Sequence, residues 1–121
     1  MGRIEEMLVG ASKDFDLAKR YKNAGEFTIA ELLYAEALEK VFTALFIRGT
    51  GNAPPSGTSI SYLATKLKMP RELFDETTRR CVDDEQAKAY VETDRSAEER
   101  ALYMESAVKR LLDYGMAYVR A

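Results

Sequence analysis

The side chains able to do chemistry in this chain narrow quickly once type and spacing are weighed. There is no histidine, so the commonest general base, metal ligand and neutral-pH switch is missing. Ser-His-Asp and Cys-His catalysis therefore cannot be assembled. Arg79, Arg80, Arg95 and Arg100 bracket one stretch of the chain, with Tyr90 and Tyr103 in the same region. Guanidinium groups interleaved with aromatic rings are how proteins hold nucleotides and single-stranded nucleic acid. That singles out Arg79, Arg80, Tyr90 and Arg95 as candidate contacts for such a ligand. The opposing expectation is that the arginines pair with Asp83, Asp84, Glu98 and Glu99, their neighbours in sequence, as surface charges usually do.

Other candidates carry less. Cys81 follows Arg79 and Arg80, whose charge favours a thiolate, yet its place on the inner side of a helix predicts a small buried hydrophobe. Glu36 and Glu39 lie on one helix, but a di-metal bundle site normally draws on Glu-x-x-His motifs, and none exists here. Glu36 with Lys40 reads instead as an i,i+4 surface pair, and Asp83-Asp84-Glu85 as a solvated charge run. The run from Gly49 to Gly57 invites a phosphate reading. Five residues separate Gly51 from Gly57 rather than four, however, and Thr58 stands where a P-loop has lysine. A plain connection is expected, with no metal and no cofactor.

The elements that must position these residues are helical throughout. Ile4, Leu8, Ala11, Phe15 and Ala18 recur at steps of three and four, predicting a helix from Arg3 to Ala24 that Gly25 ends. A second begins near Glu26, with Phe27, Ala30, Tyr34, Ala37, Val41 and Ala44 as its stripe. Leu33, Leu38 and Leu45 widen that stripe enough for more than one neighbour, and Gly49 is its expected end. A short third helix follows a Thr58 or Ser59 cap, with Ile60, Leu63, Ala64 and Leu67 inward. Pro70 suits the first turn of another, whose inner edge is Leu73, Phe74, Thr77 and Cys81. Ser96-Ala97-Glu98-Glu99 is a capping box. The closing helix beyond it carries Ala97, Ala101, Met104, Val108, Leu111, Gly115 and Tyr118 at heptad spacing, suited to an antiparallel partner. No strand pattern of useful length appears. The fold class is all-α, an up-and-down bundle of four to five helices.

At 121 residues, with 46% hydrophobic and 31% charged side chains, residues 1–121 make one domain with a core of its own. Eighteen Lys and Arg against 20 Asp and Glu leave a net charge of -2, which argues against coating nucleic acid by bulk charge. One cysteine forms no internal disulfide. With no signal-like N-terminus and no long apolar run, a cytoplasmic protein without membrane association is expected. Tyr62, Tyr90, Tyr103, Tyr114 and Tyr118 mildly favour self-association.

Two families are similar in part. Gly25-Glu26-Phe27-x-x-Ala30-x-x-x-Tyr34-x-x-Ala37-Leu38 resembles the second helix of a tetratricopeptide repeat, and Leu17, Ala18 and Tyr21 match its first helix. Phe42 replaces the expected proline, and one unit is visible where a stack needs about three. The resemblance implies an antiparallel hairpin. It also supplies the alternative function, a protein–protein interaction domain without nucleotide affinity, its groove lined by Leu17, Tyr21 and Tyr34.

The wider pattern resembles the HEPN domain family of archaea and bacteria. Residues 35–46, Ala-Glu-Ala-Leu-Glu-Lys-Val-Phe-Thr-Ala-Leu-Phe, look like its Ala-rich second helix. Pro54-Pro55, then Ser59-Ile60-x-x-Leu63-Ala64-x-x-Leu67, resemble its Pro-containing loop and short third helix, and Tyr90 through Val119 its closing loop and helix. The resemblance implies a bundle that pairs into a homodimer. Members partner a small nucleotidyltransferase, bind nucleotides, or cleave RNA without metal in toxin–antitoxin and defence systems. The ribonuclease members place four to six residues between an arginine and a histidine. Here the histidine positions are Arg100, Ala101 and Leu102 counted from Arg95, and Glu85, Gln86 and Ala87 from Arg80. Thr58 stands where a further histidine is often found. No catalytic residue is carried over. The expectation is a catalytically silent HEPN-like accessory module that binds nucleotide, RNA or a nucleotidyltransferase. An enzyme working through Arg, Tyr and carboxylates has no positive support in the residues.

Overall fold

The computed structural model describes residues 2–75 and 96–120. Among them are four α-helices and no strand: α1 (Arg3–Asn23), α2 (Phe27–Thr50), α3 (Ile60–Lys66) and α4 (Ala97–Arg120). They pack against one another as an all-α bundle.

The hairpin of α1 and α2 is the frame. At its turn the Glu26 N–H reaches Tyr21 O at 2.9 Å and the Gly25 N–H reaches Lys22 O at 3.0 Å. These two bonds take up orphan carbonyls of α1, and they require the left-handed φ of +82° that Gly25 supplies. Helix α2 runs past Gly49, the expected stop, to Thr50. Gly51, at φ +80°, ends it instead, its N–H on Ile47 O at 2.7 Å. Glycine inside a helix costs about 1 kcal/mol relative to alanine, and the packing along α2 outweighs that.

Helix α4 packs on both members of the hairpin. Gly115 sits at this contact, where a methyl group would lie 3.4 Å from Leu8 and 3.4 Å from Val41. Leu8 lies near Gly115 while Lys22 meets Glu105, so α1 and α4 are antiparallel. Glu31 meets Arg100 and Val41 lies near Gly115, so α2 and α4 run parallel. The core is Leu8, Ala11, Phe15 and Ala18 of α1, Ala30, Tyr34, Ala37, Leu38, Val41, Phe42, Ala44 and Leu45 of α2, and Ala101, Met104, Val108 and Leu111 of α4. The heptad seam of α4 is buried from Ala101 to Gly115 and reaches solvent at Tyr118.

Ser59 and Ser96 cap α3 and α4, each hydroxyl accepting the N–H three residues on, from Tyr62 and Glu99, at 3.1 Å. Two residues past the end of α3 stands Lys68, the one non-glycine residue among those described with a positive φ, at 54°. From Pro70 to Asp75 the chain forms turns rather than the first turns of a long helix, and Phe74 inserts against Phe42 with ring centroids 5.4 Å apart. Thr77 and Cys81 lie outside the described residues.

Candidate functional site

Three charged or hydroxylated residues occupy seam positions that the helical spacing otherwise gives to apolar side chains. In α1 the series Ile4, Leu8, Ala11, Phe15, Ala18 ends on Lys22. In α2 the series Phe27, Glu31, Tyr34, Leu38, Val41, Leu45 places Glu31 and Tyr34 inside the bundle. All lie at the end of the bundle that carries the Gly25 turn.

Buried charges need partners, because desolvating an unpaired ion costs several kcal/mol. Helix α4 supplies them. The Arg100 Nε–H donates to Glu31 Oε1 at 2.8 Å, and Glu31 is only 2% exposed. Lys22 Nζ donates to Glu105 Oε1 at 2.6 Å and also contacts Oε2. A third pair, Lys40 with Asp14 at 2.5 Å, joins α2 to α1. Among the described residues, each pairing of the three long helices thus carries an ion pair.

Tyr34 lies deepest. It is fully buried against Phe15, ring centroids 5.8 Å apart, and its hydroxyl makes no hydrogen bond of ordinary geometry. Burial first, and the nearby Glu105 carboxylate second, hold the phenol well above its usual range. It stays protonated at neutral pH and is unsuited to act as a base or nucleophile. The cluster therefore holds matched charges and one neutral phenol. Its chemistry is that of a structural polar seam: both cations face carboxylates, so the site offers no net positive charge to an anionic ligand.

Several sequence expectations change here. The four candidate contacts Arg79, Arg80, Tyr90 and Arg95 lie outside the described residues, as do Cys81 and the run Asp83-Asp84-Glu85. Arg100, expected at the surface beside Glu98 and Glu99, turns inward to Glu31, because a buried carboxylate binds it more strongly than exposed neighbours do. Lys40 reaches Asp14 on α1 rather than Glu36 one turn away. Tyr34 is in the core, as its place on the α2 stripe predicts, and not in the groove that the tetratricopeptide-like alternative gives it with Leu17 and Tyr21, which are exposed.

The glycine-rich loop turns its polar groups on itself. Thr50 Oγ1 donates to Phe46 O and accepts the Asn52 N–H, and Thr58 Oγ1 donates to Pro55 O. The shallow cleft beside it is lined in part by Glu39, whose charge repels phosphate. Among the described residues no three acidic or other ligating side chains converge on a common point, and no helix is long and apolar enough to cross a membrane. Compared with family models, with curated proteins and with solved structures, the chain finds no match.

Proposed function

We propose that this chain is a catalytically silent HEPN-like module that pairs with a second copy and binds nucleotide or RNA. A small nucleotidyltransferase of a toxin–antitoxin type of system is the protein partner this reading would give it. The observation that carries it is the way its interior charge is used. Lys22 and Arg100 are neutralised by Glu105 and Glu31, Tyr34 is held protonated, and the chain has no histidine. The interior is built to hold shape, which suits binding rather than proton transfer. Arg79, Arg80, Tyr90 and Arg95 are the contacts this reading assigns, with the arginines engaging phosphates and the tyrosine stacking on a base.

Fluorescence anisotropy with labelled ATP and a labelled single-stranded RNA tests it. The double variant Arg80→Ala, Arg95→Ala should lose most affinity at unchanged helicity. Equal affinity in the wild type and the double variant would remove the assignment. Native mass spectrometry of protein gently purified from its host would identify a co-purifying nucleotide, RNA or nucleotidyltransferase.

One observation favours the second reading, a tetratricopeptide-like interaction domain. Leu17 and Tyr21 are exposed on the outer side of the hairpin. That reading expects no nucleotide affinity at all, so the same titration separates the two.

A further inference from the structure

The α1–α2 hairpin has two broad faces. Helix α4 covers one. The other carries Leu17 (40% exposed), Tyr21 (36%), Ile29 (41%) and Leu32 (42%), four large apolar side chains within one short stretch of the hairpin. Single exposed apolar residues are ordinary, whereas a cluster of this kind marks a contact surface.

The residues form two ridges. Lys13, Leu17 and Tyr21 follow one another at steps of four along α1, and Ile29, Leu32 and Glu36 at steps of three and four along α2. The antiparallel pairing that sets Phe15 beside Tyr34 and Gly10 beside Lys40 fixes their levels. Lys13 is level with Glu36, Leu17 with Leu32, and Tyr21 with Ile29. Lys13 and Glu36 are both exposed.

We infer that this face is the surface on which two copies of the chain meet, about a twofold axis running along the hairpin. This rests on the paired state proposed above and names the surface that makes it. Such an axis lays the α1 ridge of one copy antiparallel on the α2 ridge of the other. Leu17 then meets the partner's Leu32, Tyr21 meets the partner's Ile29, and Lys13 meets the partner's Glu36, with every contact occurring twice. The matched placement of one cation and one anion at the same level, on opposite ridges, is what a twofold requires. It disfavours a nucleic acid as occupant, because Glu36 would repel the phosphates as Lys13 attracted them. The remaining long helices of each copy stay outside this contact, so the assembly is a four-helix antiparallel layer flanked by the two α4 helices.

Sedimentation velocity across a concentration series tests the assignment, with circular dichroism as the folding control. The wild type should be a dimer at micromolar concentration, and Leu17→Asp should be a monomer of the same helicity. Lys13→Glu alone or Glu36→Lys alone should weaken association roughly tenfold, since two pairs per dimer turn repulsive. The double exchange Lys13→Glu, Glu36→Lys should restore it to within about threefold of the wild type. A wild-type dimer that Leu17→Asp and both charge reversals leave unchanged would overturn this face while leaving the paired state of the proposed module standing. A wild-type monomer at tens of micromolar would overturn both.

Discussion

The Arg100 guanidinium spans the bundle to a carboxylate 69 positions earlier, its Nε 2.8 Å from Glu31 Oε1, and thereby joins the first turn of α4 to the buried face of α2. With Lys22 and Glu105 on the adjoining α1–α4 contact, this pair tells α4 which way to lie. Reversing α4 would carry both its charged residues to the opposite end, away from Lys22 and Glu31. Ionic groups at seam positions set register and orientation in helical assemblies, and we assign that role to these four residues.

Arg100→Ala should therefore be among the most damaging single substitutions, costing about 3–5 kcal/mol by removing the guanidinium that faces the buried Glu31 carboxylate. Replacing both partners, Glu31→Leu with Arg100→Met, should recover most of that loss. Urea denaturation of the two single variants and the double variant gives the coupling energy. A coupling near zero would show that the pair does not act as a unit.

Tyr34→Phe should change stability by less than about 1 kcal/mol, because the buried hydroxyl lies near the Glu105 carboxylate but makes no hydrogen bond of ordinary geometry. Tyr34→Ala should cost about 3–5 kcal/mol by opening a cavity beside Phe15. The Tyr34 phenol also sets a pH dependence. Its folded-state pKa is raised above the unfolded value of about 10, so unfolding releases a proton in alkaline solution. The stability it contributes is complete below about pH 10 and lost as pH rises further. Thermal melts from pH 8 to 11 should show a steeper alkaline decline in the wild type than in Tyr34→Phe. Parallel declines would contradict the raised pKa.

Gly115 and Gly10 should respond differently to added bulk. At Gly10 a methyl would meet Lys40 Cδ at 3.6 Å, an ordinary contact, and Gly10→Ala should gain about 0.5–1 kcal/mol from reduced backbone entropy. At Gly115 a methyl just fits between Leu8 and Val41, so Gly115→Leu should lose about 1–3 kcal/mol through overpacking. A melting temperature for Gly115→Leu equal to the wild type would mean that α4 does not approach α1 and α2 closely there.

Lys68 holds a left-handed conformation at the end of α3, with φ 54°. The Met69 N–H bonds to Ala64 O at 3.1 Å and the Lys68 N–H to Thr65 O at 3.1 Å, the pattern glycine normally closes. Lys68→Gly should relieve about 1 kcal/mol of strain and raise the melting temperature. A fall in melting temperature would show that the turn has another conformation in solution.

Ser96→Ala should cost about 1 kcal/mol, because the Glu99 N–H loses its only side-chain acceptor in the described structure. Chemical denaturation measures it, and Ser96→Asp should restore the loss.

Local rules made much of this fold legible. Small and apolar residues at steps of three and four marked α1, α2, α3 and α4, because burial of a helical stripe depends only on spacing along one helix. The Gly25 turn and the Ser96 cap were equally readable, since each is decided within about five residues of chain. The end of α2 was not: Gly49 and Gly51 offer the same local signal, and the chain stops at the second.

What the sequence determined by itself is a helical chain, its stripes, its caps and the absence of any imidazole for chemistry. The partners of its charges were decided only by the tertiary structure. Lys22, Glu31 and Tyr34 occupy heptad positions in the sequence, but nothing local says that α4 will bring Glu105 and Arg100 to meet the two charges and set Glu105 near the phenol. Lys40 likewise had Glu36 within reach on its own helix and found Asp14 on another. An ion pair forms where desolvation, distance and competing partners balance best, and those quantities exist only once three helices are packed together.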